Sequence, residues 1–301
     1  MHRRFANCLL LLLGHFAAPF ASADTYGSGW YGELQVTAGR EDNVARSYKS
    51  VDVLGATVAS VGLGTGYSQN IRENLRYVIS GYVTYNHHDT FTDLSNIVTS
   101  LGASFTWQPT PGYDTAWYQG TFEVSRLDYH NSDAREGYLF IGSASINHRL
   151  GMRANGHIGY RYVDLVFLGK DDTGSRRDAA FDIARHELFL GADYQLANRL
   201  YLLADYRFQH GGFTSSVSGT TARIAYDAET VDPVFQTCNT LRCTPSYAFR
   251  SVANVHSVEL GLALSLAGIN YDLTGQYIDA HSKGGANYTD WLVKFGMVWT
   301  F

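Results

Sequence analysis

Ser143, His157 and Glu123 are the residues whose types suit nucleophilic catalysis, because a hydroxyl nucleophile needs a base within hydrogen-bond reach and an acid that orients the base. Ser143 and His157 flank a turn at 149–153 and fall on adjacent faces, with Glu123 one segment further on. Segments rich in Ser and Glu produce such sets by chance, so the expectation is that the chain is not an enzyme. Cys238 and Cys243, in Cys-Asn-Thr-Leu-Arg-Cys, suit a loop-closing disulfide in an oxidising compartment. A metal site there would need further ligands, and the next histidine is His256. His87-His88-Asp89 reads as a polar loop tip. Gly62-Leu63-Gly64-Thr65-Gly66 has the composition of a phosphate cradle but lacks the helix such a loop feeds; glycines within strands mark bends or close packing beside aromatics. His186, Asn254 and His256 share outer faces with no serine beside them, which disfavours a lipid-modifying site. The expectation is no metal and no cofactor.

The composition says what must position these residues. The 301 residues are 45% hydrophobic and 17% charged, with 21 Tyr, 30 Gly and only 5 Pro. A disordered chain is poor in aromatics and rich in charge and proline, so disorder is excluded. The longest apolar run, Cys8 to Ala21, is interrupted by His15 and falls short of the ~18 residues of a spanning helix. A helical membrane bundle is therefore excluded. Arg3 and Arg4, the apolar Leu9 to Leu13 and the small residues Ala21-Ser22-Ala23 read as a cleaved signal peptide over 1–23, leaving a single domain over 24–301. The net charge of −5 shows no basic excess, so nucleic acid is not an expected partner.

From Asp24 onward the chain alternates apolar and polar residues, the period of β-strands. In the last segment Trp291, Val293, Phe295, Met297, Trp299 and Phe301 share one wholly apolar face, while Leu292, Lys294, Gly296, Val298 and Thr300 share the other. Twelve strands are expected at about 29–40, 52–67, 75–86, 96–108, 116–127, 138–148, 154–164, 185–196, 199–209, 253–266, 269–279 and 290–301. Fourteen would result if the excursion 210–252 entered the membrane as a hairpin of Ala222–Tyr226 and Val234–Thr237. Short turns follow the even strands and longer excursions follow the odd ones. That asymmetry belongs to a closed up-and-down transmembrane β-barrel, all-β and antiparallel, with short turns at the periplasmic end.

These features resemble the Gram-negative outer-membrane β-barrel proteins, porin-like in type. They comprise the signal segment, the alternating strands, the loop asymmetry and the terminal Trp299-Thr300-Phe301. The resemblance implies that Trp299 and Phe301 belong to a C-terminal signal read by the outer-membrane assembly machinery. It implies contact with outer-membrane lipid and lipopolysaccharide, extracellular long loops and periplasmic termini.

With the apolar face turned to lipid, the other face lines a lumen carrying Glu33, Arg76, Glu123, Arg161, Arg185, Glu187, Asp193, Asp205, Arg207, Glu259, Asp272 and Lys294. Charges on an inner wall must be hydrated or paired. A turn at 197–198 sets Glu187 beside Arg207, and Arg161 and Glu259 extend that pair into a ladder. The set is either a charged constriction that selects solutes or a network that stiffens the wall. Acids outnumber bases, so a passive channel for small hydrophilic solutes with mild cation preference is expected. The alternatives are a component of a polysaccharide or protein export system, or a barrel hydrolase. The excursion 210–252 is expected to plug the lumen or to stand outside it.

Overall fold

The structure, a computed structural model, describes residues 28–110, 112–168, 180–219, 226–238 and 243–301. The signal segment 1–23 lies outside the described residues. Twelve strands form one antiparallel barrel: β1 (Gly29–Glu41), β2 (Ala56–Arg72), β3 (Leu75–His88), β4 (Asn96–Trp107), β5 (Trp117–Tyr129), β6 (Gly137–Arg149), β7 (Ala154–Phe167), β8 (Ile183–Ala197), β9 (Leu200–Ser218), β13 (Ser246–Leu266), β14 (Ile269–Ser282) and β15 (Tyr288–Thr300). Between β9 and β13 lie three short strands, β10 (Ala228–Val231), β11 (Thr237–Cys238) and β12 (Cys243–Thr244). β1 pairs with β15 from Glu33↔Thr300 to Glu41↔Leu292 and so closes the cylinder, leaving no edge in the wall. Gly32 N donates to Phe301 O (2.7 Å) and Phe301 N to Gly32 O (2.9 Å), extending the seam to the last residue.

The alternation sets the faces. Leu63 and Leu101 are 62% and 63% exposed on the outside, and Ile79, Phe122, Leu188, Leu260, Leu273 and Phe295 continue the apolar band. Aromatic residues border it at both ends, as interfacial girdles do. Trp30 packs on Tyr67 (5.3 Å between ring centres) and Trp107 on Tyr118 (5.5 Å) near the short turns, and Tyr277 packs on Trp291 (4.8 Å) near the long ones. Inside, Gly64 and Gly66 are needed for packing. A Cβ on either would overlap the ring of Tyr82 or Tyr31, which lie flat along the inner wall. This accounts for the glycine run without any phosphate.

Several strands run further than the alternation alone suggests. β2 begins at Ala56 and ends at Arg72, because 50–52 forms a 3-10 turn instead of strand. β9 and β13 continue to Ser218 and from Ser246, where those two residues face each other in register. Both ends of the expected excursion 210–252 are therefore paired wall, and the true excursion is 219–245. β10 takes the edge of β13 that β14 leaves free beyond Ser282, pairing Ala228↔Arg250 to Val231↔Tyr247. The expected hairpin of 222–226 with 234–237 is not what pairs there. Residues 222–225 lie outside the described residues, and Pro233–Phe235 form a 3-10 turn.

Beyond the lipid band the polarity of the wall inverts. Near the long loops Val98, Leu127, Leu139, Ile141, Val163, Leu165 and Ile183 point inward and are buried. Loop residues fold down onto them: Val44 and Ala45, Phe91 and Leu94, Phe181, and Val234 with Phe235. The outside at this level is polar instead, with Arg126 bonded to Asp128 (2.7 Å) and Glu136 (2.9 Å). This end is thus an ordinary globular core standing in water, continuous with a membrane barrel whose apolar side faces out. Leu101→Arg, on the lipid band, is expected to cost roughly 2–4 kcal/mol. Ser104→Arg, on the inner face of the same strand, should cost far less. Urea unfolding from lipid vesicles measures both, and equal costs would show that the outer band does not face lipid.

Candidate functional site

The inner wall divides into three zones. In the half near the short turns, polar side chains are partly exposed to the lumen. Asn155 donates to Asp193 (2.8 Å), and His157 Nε2 lies 3.0 Å from Asp205 Oδ1. Ser125 Oγ donates to Glu123 Oε1 (2.6 Å), Arg76 Nε to Ser68 Oγ (2.9 Å), and Tyr82 Oη to Glu33 Oε2 at a long 3.4 Å. Asp272 lies over Gly296, where a Cβ would strike its carboxylate, with Lys294 within electrostatic reach. The carboxylates and His157 are partly accessible, while Ser68 and Ser125 are buried beneath them.

The second zone is an ionic belt across β7, β8, β9 and β13. Glu187 accepts from Arg185 Nε (3.0 Å) and Arg161 Nη1 (3.4 Å), while Arg207 lies 3.6 Å from Glu259. Glu187 and Arg207 were expected to pair directly, and the register explains why they do not. The β8–β9 pairing sets Glu187 opposite Gln209 and Arg207 opposite Phe189, so the two charges are diagonal neighbours on the inner face and not directly opposed. Arg207 then turns to Glu259 on its other flank, where β13 offers Ser257↔Arg207 and Glu259↔Asp205. Both Arg185 and Glu187 are buried, so their charges interact through a medium of low polarity.

The third zone is the apolar plug, held by one buried ion pair. Arg135 Nη2 contacts Asp232 Oδ2 at 2.6 Å, with both side chains nearly inaccessible, and its guanidinium stacks over the Phe181 ring (4.4 Å). Ser216 Oγ on the wall donates to the same carboxylate (2.6 Å). The pair therefore joins the loop after β5, the excursion 219–245 and β9. A plug was one of the two placements expected for the excursion 210–252, but its apolar packing against the wall and its ion pair were not read from the sequence. One signal for the plug was present. The inner positions Leu139–Ile141 and Val163–Leu165 are apolar beside outer Phe140 and Val166, so both faces are apolar where a water-filled lumen would require a polar one.

Ser143 and His157 do not meet. Ser143 Oγ is bonded to Thr121 Oγ1 (2.6 Å), and Glu123 takes Ser125. His87-His88 is not a loop tip, because β3 runs through His88. Alternation then sends the His87 ring outward and buries His88 inside, so the two cannot share a ligand. Outside, Tyr160 bonds His186 (2.6 Å), Tyr206 bonds His256 (2.7 Å) and His210 bonds Asn254 (2.7 Å), a polar row above the lipid band. Thr237–Cys238 and Cys243–Thr244 form a small ladder that sets Cys238 opposite Cys243. The Cys238 side chain lies outside the described residues.

No protein-family model and no curated protein sequence matches the chain. Among solved structures, an outer-membrane channel from Pseudomonas putida F1 is similar at a TM-score of 0.61 and 10% identity, covering 92% of this chain and 96% of that one. The KdgM porin is similar at 0.43 and 8% identity, over 89% and 99% of the two chains. The translocator domain of the autotransporter NalP from Neisseria meningitidis is similar at 0.40 and 11% identity, over 97% and 95%. The likeness is one of fold. This chain has a closed antiparallel barrel like that of the outer-membrane channel.

Proposed function

We propose that the chain is a porin-like passive channel for small hydrophilic solutes. The observation that carries this reading is the lumen of the short-turn half, where Glu33, Glu123, His157, Asp193, Asp205 and Asp272 line a wall that water reaches. The long loops are extracellular and both termini periplasmic, consistent with short turns and termini sharing one end. Trp299 and Phe301 serve the assembly machinery, and the apolar band meets outer-membrane lipid, with lipopolysaccharide beside the polar row of His186, His210 and His256. A Cys238–Cys243 disulfide staples the tip of the excursion 219–245. The polar residues act by charge and size, and no chemical step is assigned to them.

Purified, heat-modifiable barrel in planar bilayers tests this. Discrete conductance steps are expected. Neutralising Asp193, Asp205 and Asp272 together to Asn removes three carboxylates from the accessible wall, so reversal potential in a salt gradient should move toward anions, with folding kept. A folded barrel that gives no conductance, with the excursion 219–245 present or excised, would transfer the protein to the export or structural class.

A further inference from the structure

At the junction between the ionic belt and the plug, a largely enclosed cavity of ≈ 10 Å³ opens among Arg46, Arg185, Gln209, Tyr288 and the apolar Phe213 and Val255. That is about the space one water molecule or one monoatomic ion needs. Two guanidiniums line it, and both arginines are buried, at 4% exposure each. Arg46 Nε and Arg185 Nη2 have no hydrogen-bond partner among the described residues, and Arg46 makes no ion pair there. Buried charged donors normally have partners, because an unpaired one forfeits its hydration for nothing. Two such donors lining one small cavity are a ligand-shaped exception.

The carboxylates nearby do not fill the role. Glu187 holds Arg185 through Nε, leaving Nη2 over. Glu41 and Asp290 are within electrostatic reach of Tyr288, as are both guanidiniums, but neither carboxylate lines the cavity. Arg46 is also held in place. Its backbone sits at φ 48, a left-handed conformation uncommon for a residue with a Cβ. The loop is bolted there by Ser215 Oγ to Arg46 O (2.7 Å), Ser216 N to Ala45 O (3.0 Å) and Arg46 N to Asn43 O (2.8 Å). Backbone strain maintained by surrounding bonds is a mark of positions under functional constraint.

We infer that this cavity is a binding site for one compact monoatomic anion, a halide, held between Arg46 and Arg185. Gln209 and Tyr288 line it beside the two arginines. The cavity is too small for a phosphate or a sugar acid as it stands. The site also revises the selectivity of the pore, and that consequence rests on the channel reading. A tally of the whole lumen favours cations, yet Glu187 and Glu259 are paired with arginines. At the junction of belt and plug the cavity presents two guanidiniums, and rings of positive charge favour anions.

Binding is tested without reference to conduction. The thermal unfolding midpoint of purified barrel is measured against rising chloride, formate or gluconate at constant ionic strength. Chloride should raise the midpoint saturably, and formate and gluconate, too large for the space, should not. Arg46→Gln should abolish the dependence. Anomalous diffraction from bromide-soaked wild-type crystals should place bromide between Arg46 and Arg185, which settles the matter even if Arg46→Gln fails to fold. A wild-type midpoint that treats the three anions alike, or no bromide at the cavity, would overturn the site. In bilayers, wild type should prefer chloride over potassium and Arg46→Gln should lose that preference. A barrel that binds bromide but never conducts would refute the channel and leave the site standing.

Discussion

Deleting Phe301, or replacing Trp299 and Phe301 together with alanine, is expected to leave the chain in the periplasm and remove heat-modifiable migration on gels. The structure shows two contributions at this residue. Phe301 exchanges both backbone hydrogen bonds with Gly32 across the seam, at 2.7 and 2.9 Å. Each is worth about 0.5–1.5 kcal/mol net, and the loss is larger where lipid offers no replacement partner. The Phe301 ring also lies directly over Gly32, where no Cβ fits, and packs on Trp299 (5.1 Å between ring centres). Loss of the ring bares the seam where the girdle should cover it. Phe301→Trp retains an aromatic and a backbone and should restore most assembly. Normal folding of the deletion would mean that neither the seam nor the terminal signal depends on the last residue.

The parts of this architecture that were legible in the sequence are those governed by period two. Leu75, Tyr77, Ile79 and Val83 on one face of β3, or Val258, Leu260 and Leu262 on one face of β13, admit a single assignment once that face must meet lipid, and the structure exposes Ile79, Val83, Val258, Leu260 and Leu262 accordingly. The exact register was not legible, because alternation fixes which face a residue takes but not which residue it meets: Glu187 stands opposite Gln209, and Arg207 turns to Glu259 on β13. The plug was obscured for a different reason. A strand that leaves the membrane exchanges its polar and apolar faces, so Val163 and Leu165 point inward beside lipid-band positions that point outward. Reading the whole strand by one rule makes the far half look like noise. Arg46 was invisible because a loop residue has no periodicity, and only the fold brings it to Arg185.

Excising 220–244 and joining the ends through a two-residue turn is expected to convert a mostly closed barrel into a persistently conducting one. The wall permits the cut. Ser218 and Ser246 already face each other, and Gly219 N donates to Pro245 O (3.0 Å) at the base of the excursion. Nothing in the twelve-strand ladder is removed, so heat-modifiable folding should persist. The cut does remove Val234 and Phe235 from the apolar core and Asp232 from its contacts with Arg135 and Ser216. Arg135 would then be a buried charge without its partner, so the excised chain should also carry Arg135→Met. Asp232→Asn alone keeps the loop but breaks the charge pair. Removing one member of a buried pair costs about 3–5 kcal/mol, and a bias of about 3 kcal/mol is on the order of a hundredfold in a closed-to-open ratio. Long openings should therefore be rare in the wild type, frequent in Asp232→Asn and nearly continuous in the excised barrel. Single-channel recordings on the three proteins read this directly. Equal open times in all three, with each barrel folded, would mean that the excursion packs the extramembrane core without gating the lumen, and the passage would have to lie elsewhere along the wall.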